Sequence, residues 1–161
     1  MIGNDVVDLE LAKTESNWQR NGFLDKIFSK NEQNLIQNSK NQEITIWNLW
    51  SRKEAVYKIW NRKSAIRKYN PIQFECFDLD LEIGKVFYDS IVYYTKTDIS
   101  TDFIYTIAVC NLDDFSNIET LDNSIKYEKE NGIPFYINEN QEVKPISKTH
   151  HGRFERIITI K

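Results

Sequence analysis

Apolar residues follow two different periods along this chain, a helical one in the first half and an alternating one in the second. Between residues 43 and 68, Leu49, Val56 and Trp60, with Ile46, Trp50 and Tyr57 round the cylinder, form a broad apolar arc. An arc this wide predicts a long helix packed into a core, stopped by Pro71, which disfavours helical geometry in the residue before it. Upstream, Ser29-Lys30-Asn31-Glu32 has the Ser-x-x-Glu form of a capping box and predicts a short helix over Lys30–Asn38. Phe23, Leu24, Ile27 and Phe28 show helical spacing after a break at Gly22. Residues 1–9, with Ile2, Val6 and Val7, read as a short strand with Asp5 near its middle and Asp5 and Asp8 directed to different sides.

From residue 73 the composition turns to Ile, Val, Tyr, Phe and Thr, and the pattern predicts strands over 73–80, 85–95 beside a Gly84 turn, and 103–110. Residues 111–130 are acidic and polar, a connection with one helical turn. Residues 133–138 and 143–146 flank the turn signal Asn138-Glu139-Asn140 as a hairpin, and Phe154–Ile160 makes a last strand. The fold class expected is α+β: an antiparallel sheet packed against one long helix and shorter N-terminal helices, with residues 1–161 as a single domain.

Length supports this, since 161 residues with 40% hydrophobic content can bury roughly two thirds of the unfolded surface. Cys76 and Cys110 show no Cys-x-x-Cys or Cys/His spacing, so zinc and a disulfide are not expected and the thiols read as small buried groups of a reduced protein. No basic leader and no run of about 20 apolar residues is seen, so the expected location is the cytoplasm, away from membranes.

Charge changes the picture more. A net charge of −3 argues against a general nucleic-acid binder. Yet residues 52–68 hold seven basic side chains (Arg52, Lys53, Lys58, Arg62, Lys63, Arg67, Lys68) against Glu54 alone, while residues 75–89 hold five acids against Lys85. Such a dipole suits an acidic or polyphosphate partner at one end, although a solvated helix face gives the same pattern.

Three clusters carry chemically capable groups: Gly3-Asn4-Asp5, Glu54 with Lys58, and Thr149-His150-His151-Gly152-Arg153. Glu54 and Lys58 are four residues apart and share a helix face, as an ordinary ion pair does. Two carboxylates from different elements also suit Mg²⁺, which takes oxygen ligands and shares its sphere with substrate phosphates. The last cluster combines hydroxyl, imidazole, a permissive glycine and guanidinium, the groups of a phosphomonoester site, or forms a polar hairpin tip before the final strand.

In order, Gly3-x-Asp5, Trp50-Ser51-x-Lys53-Glu54-Ala55-x-x-Lys58 and the Thr-His-x-Gly-Arg-aromatic run resemble the 4′-phosphopantetheinyl transferase superfamily, nearest its small holo-acyl-carrier-protein synthase branch. The resemblance covers almost the whole chain, most loosely between residues 73 and 131. It implies transfer of the 4′-phosphopantetheine arm of coenzyme A to a serine of an acidic acyl or peptidyl carrier protein, with Mg²⁺ and release of 3′,5′-ADP. By the same resemblance Asp5 and Glu54 are the metal ligands, Glu54 or a metal-bound water the base, and Lys58 a phosphate contact. Thr149, His150 and Arg153 would hold the nucleotide end, and Asp8 would be an outer-shell acid only. The basic residues of 52–68 with Arg20 and Lys26 would meet the carrier. A homo-oligomer, trimer or dimer, is implied, because one copy of each motif would need a partner subunit to complete the site. Two rivals stand beside this reading: a non-catalytic coenzyme A or carrier-binding module of the same fold, and a metal-dependent nuclease, which the net acidity disfavours. The carrier's pathway, whether fatty-acid, polyketide, pigment-lipid or peptide synthesis, is not encoded in these motifs.

Overall fold

A computed structural model describes residues 1–80 and 82–161. Strand β1 (Ile2–Asp8) is followed by helices α1 (Leu9–Glu15), α2 (Phe23–Ile27), α3 (Lys30–Asn38) and the long α4 (Gln42–Ser64). Strands β2 (Glu75–Phe77), β3 (Ile83–Tyr88), β4 (Ile91–Ile99) and β5 (Phe103–Val109) complete a five-stranded antiparallel sheet in the order β1-β5-β4-β3-β2. Strands β6 (Ile118–Leu121), β7 (Glu128–Glu130), β8 (Ile133–Ile137), β9 (Val143–His151) and β10 (Phe154–Ile160) form a second, in the order β6-β10-β9-β8-β7. Helix and sheet character follow the predicted division of the chain, but the sheet is two sheets.

Helix α4 lies across the first sheet. Ile46, Leu49, Ala55, Val56 and Ile59 are buried against Val7, Val86, Tyr93, Ile104 and Ala108. Its rotation is fixed by two buried cations. Lys53 pairs with Glu32 at 2.7 Å, both side chains fully buried, and donates to the carbonyls of Pro71 and Phe74. Glu32 is the acid of the predicted capping box: one oxygen accepts from the Ser29 N–H as well as Lys53, and the other accepts from the Cys76 N–H. Arg52 donates to Asn48 and Thr95, each at 2.7 Å. The expectation that these two residues belong to a basic carrier-facing surface is thus corrected: both are buried, because their heads find acceptors inside.

Three boundaries differ from expectation. Helix α4 stops at Ser64, where Ala65 adopts a left-handed conformation (φ 57°) and Asn61 donates to the Ile66 carbonyl; Pro71 instead opens a 3₁₀ turn, Pro71–Gln73. Residues 85–95 are not one strand: Asp89 and Ser90, both at positive φ, make the two-residue turn of a β3–β4 hairpin. Gly84 sits inside β3 opposite Thr95, where an added Cβ would collide with the Arg52 guanidinium and Leu79. The acidic connection supplies a 3₁₀ turn (Leu112–Asn117) and two edge strands, β6 and β7, whose polarity suits exposed edges. No helix among the described residues is long and apolar enough to cross a membrane.

Candidate active site

Strand β1 crosses α4 where both are smallest. A Cβ on Gly3 would overlap the carbonyl oxygen of Ala55, so only glycine permits this approach. It puts Asp5, two residues along β1, and Glu54, one residue before Ala55, on the wall of a common cavity of about 420 Å³. Lys58, a turn beyond Glu54, does not pair with it. Its Nζ donates to the Asn4 carbonyl at 2.6 Å and lies 3.6 Å from Asp5 Oδ1. The ordinary helix ion pair is thus absent among the described residues.

The electrostatics follow from this placement. Burial raises the Asp5 pKa above the usual carboxylate range, with Lys58, Thr149 and Ser51 partly offsetting it. Burial and then the charge of Asp5 push Glu54 up to about 7, against which Lys58 acts, and no hydrogen bond from the described residues relieves it. Two carboxyls with one ammonium, held beside Asp5, form a site short of positive charge.

Strand β9 holds this site in place by alternation. Ser147, Thr149 and His151 face the edge of β1 that β5 leaves free, and their side chains accept from the backbone N–H groups of Asn4 (3.0 Å), Val6 (3.2 Å) and Asp8 (2.8 Å). The Ser147 hydroxyl also donates to Asn4 Oδ1 at 2.7 Å, and that of Thr149 to Asp5 Oδ1 at 3.2 Å. Because His151 Nδ1 accepts, its proton sits on Nε2, 3.2 Å from Glu15. The intervening Lys148 and His150 point elsewhere and line a second cavity of about 500 Å³ with Lys58, Arg62, Lys129 and Tyr127. His150 borders both cavities. The Lys148 ammonium stands 5.3 Å from the Tyr127 ring centroid and 3.1 Å from Glu155.

Of the residues singled out in the sequence, Asp5, Glu54, Lys58 and His150 are thus brought together. Thr149 joins them through Asp5, lining neither cavity. Arg153 goes elsewhere: its Nε and Nη2 grip both oxygens of Asp8, each at 2.9 Å, and it lines neither cavity. That grip holds the Asp8 carboxyl far below its usual range, and Asp8 also caps α1 through the N–H groups of Glu10 and Leu11. Asp8 is a clamp between β1, α1 and the β9–β10 turn, where Gly152 (φ 53°) leaves room for its carboxylate. Arg62, Tyr127, Lys129 and Lys148 were not foreseen as cavity residues. Lys148 was legible in principle, being two residues from His150 on a strand, whereas Tyr127 and Lys129 lie in a segment whose composition speaks only of exposure.

The donor set suits Mg²⁺. Asp5 and Glu54 offer hard carboxylate oxygens from two different elements on one cavity wall, donors of the type that ion takes. Asp5 and Glu54 would hold the ion, leaving its remaining positions to water and phosphate.

No curated protein matches this chain. Among solved structures, apo-ACPS of Chronobacterium ammoiniagenes has a TM-score of 0.54 at 16% identity, over 67% of this chain and 93% of that one. Holo-[acyl-carrier-protein] synthase (AcpS) of Thermotoga maritima has a TM-score of 0.49 at 16% identity, over 77% of each chain. The first of these supports a shared fold. A family model described as the 4′-phosphopantetheinyl transferase superfamily matches residues 1–110, from β1 through the first sheet and short of the second. With its Gly3–Ala55 crossing and paired carboxylates inside that match, the chain belongs to the 4′-phosphopantetheinyl transferase superfamily.

Proposed function

We propose that this protein transfers the 4′-phosphopantetheine group of coenzyme A to a carrier-protein serine. The observation that carries the reading is the carboxyl pair Asp5–Glu54 on the wall of a largely apolar cavity that shares His150 with a neighbouring basic one. Lys58, Arg62, Lys129, Lys148 and His150 supply charge and donors for the phosphates of the nucleotide end, with Tyr127 as an aromatic surface. On the other side Phe23, Ile27, Trp47 and Trp50 with Arg20 line the cavity that opens at Glu54, a surface suited to an acidic carrier presenting its serine. Mg²⁺, when bound, would neutralise pyrophosphate charge and steady the 3′,5′-ADP leaving group.

In the transfer the serine oxygen forms a bond to the β-phosphorus of coenzyme A as the bond to the 3′,5′-ADP oxygen breaks. Glu54 lines the cavity to which the serine would be presented and is the candidate to take its proton. Lys58 anchors the Asn4 carbonyl and Asp5 while remaining part of the basic cavity wall. His150 lines the same cavity as the two carboxylates within one chain.

The test is transfer of a labelled pantetheine arm from coenzyme A to apo-carriers, scored by mass. Asp5→Asn and Glu54→Gln are each expected to lower Mg²⁺-dependent turnover by about 100-fold or more. Undiminished turnover in both would overturn the assignment, and calorimetric coenzyme A binding without transfer to any carrier would leave the binding-module alternative.

A further inference from the structure

The basic cavity has two unlike ends. Lys58 and His150 adjoin the carboxylates, since Lys58 Nζ lies 3.6 Å from Asp5 and His150 lines both cavities. Tyr127, Lys129 and Lys148 line the basic cavity alone. Tyr127 directly precedes β7, which holds Lys129, and β9 holds Lys148, so all three lie beyond the span matched by the family model. Lys148 joins the two ends: its carbonyl accepts from Lys58 Nζ at 3.4 Å, while its ammonium stands 5.3 Å from the Tyr127 ring centroid. The Lys129 ammonium stands 6.0 Å from the same centroid. The negative face of an aromatic ring attracts cations, so one tyrosine gathers two ammoniums that repel each other. Glu155 answers the charge of Lys148 at 3.1 Å, and Lys129 has no acid partner among the described residues. Two gathered ammoniums with one left unanswered suit a compact, nearly doubly charged anion, which a phosphate monoester is.

We infer that Lys129 and Lys148, gathered by Tyr127, form the subsite for the 3′-phosphate of the nucleotide, with Lys129 a specificity-determining residue and Tyr127 a positioning residue. The inference rests on the coenzyme A reading and deepens it. In that reading the reacting pyrophosphate lies against Asp5 and Glu54, at the Lys58–His150 end. The phosphate left for the far end is the monoester on the ribose. The second sheet thereby supplies a contact that the carboxylates and Lys58 do not.

The test is titration calorimetry with 3′,5′-ADP and with 5′-AMP, which lacks the 3′-phosphate, on the wild type, Lys129→Gln, Tyr127→Leu and Tyr127→Phe. The wild type is expected to bind 3′,5′-ADP about 10-fold more tightly than 5′-AMP. Lys129→Gln should lose about 10-fold in affinity for 3′,5′-ADP and clearly less for 5′-AMP. Tyr127→Leu should lose in the same direction by about 5-fold, and Tyr127→Phe, whose ring still attracts ammoniums, should keep the wild-type preference. Lys129 is exposed on an edge strand, so its variant decides the matter if Tyr127→Leu fails to fold. Equal wild-type affinities, or equal losses for the two nucleotides in Lys129→Gln, would overturn the subsite and leave the coenzyme A reading standing. Equal losses in Tyr127→Phe and Tyr127→Leu would overturn the positioning role. Absence of 3′,5′-ADP binding to the wild type would overturn the coenzyme A reading and this inference with it.

Discussion

Lys53 and Glu54 are neighbours on α4 and meet opposite treatment. Lys53 is wholly buried, yet its ammonium has a carboxylate and two carbonyls, and the carboxylate has its own donors from Ser29 and Cys76. Glu54 shares its cavity wall with a second acid, and among the described residues only Lys58 offsets its own charge. The first cluster is closed: each charge is answered inside the chain. The second is open: burial and a neighbouring acid leave Glu54 holding its proton up to about pH 7. In one turn of helix the chain separates a structural ion pair from a binding site, and what separates them is compensation, since both are removed from water.

The largest effect that could break this contrast is on the closed side. Glu32→Gln leaves the Lys53 ammonium buried without counter-charge and should cost about 3–5 kcal/mol of stability in urea unfolding at neutral pH. A variant as stable as the wild type would show that the pair is not what fixes α4.

The open side should behave oppositely. In the unfolded chain Glu54 ionises near 4.5, and in the fold near 7. Between those values the folded protein keeps a proton that the unfolded chain has released, so this group's contribution to stability falls as pH rises from 4.5 to about 7. Above that window the penalty is complete, about 3 kcal/mol, shared with Asp5 through their mutual repulsion. Glu54→Gln is therefore expected to be more stable than the wild type at pH 8 by up to about 3 kcal/mol, and equal to it near pH 4. Mg²⁺ should raise the wild-type melting temperature at pH 8 and leave that of the variant unmoved. Parallel pH–stability curves for the two proteins would refute the open-site description.

The same contrast explains what could be read from the sequence. The Ser29–Glu32 capping box, the α4 arc and the order Gly3–Asp5, Glu54–Lys58, Thr149–His150 depend on local spacing, and local spacing is visible. That Lys53 and Arg52 are buried depends on acceptors from residues 32, 71, 74 and 95, which no local pattern announces. The end of α4 was missed because alanine rather than glycine takes the left-handed cap, and the β3–β4 turn because Asp89-Ser90 lacks the usual Asn-Gly or Asp-Gly signal. The resemblance implies a nucleotide contact for Arg153, but its guanidinium is taken up by both oxygens of Asp8, a long-range pairing that no local pattern announces.

The smallest effect sharpens the comparison most, because it tests how the open site is kept open. Thr149 and Ser147 are equivalent rungs between β9 and β1, each accepting one backbone N–H and donating to one side chain. Thr149→Val and Ser147→Ala each leave a buried N–H unpaired, and each should cost about 1–2 kcal/mol in the same unfolding assay. They differ in the second bond, since Ser147 serves Asn4 and Thr149 serves Asp5. The Thr149 bond lowers the Asp5 pKa, so its loss lets burial raise that pKa further. The acidic limb of the pH–rate profile should then move to higher pH in Thr149→Val and stay in place in Ser147→Ala. Equal profiles in the two variants would mean that Thr149 acts only as a strand clasp. A shift confined to Thr149→Val would show that the second sheet, beyond the span matched by the family model, tunes a carboxylate that lies within it.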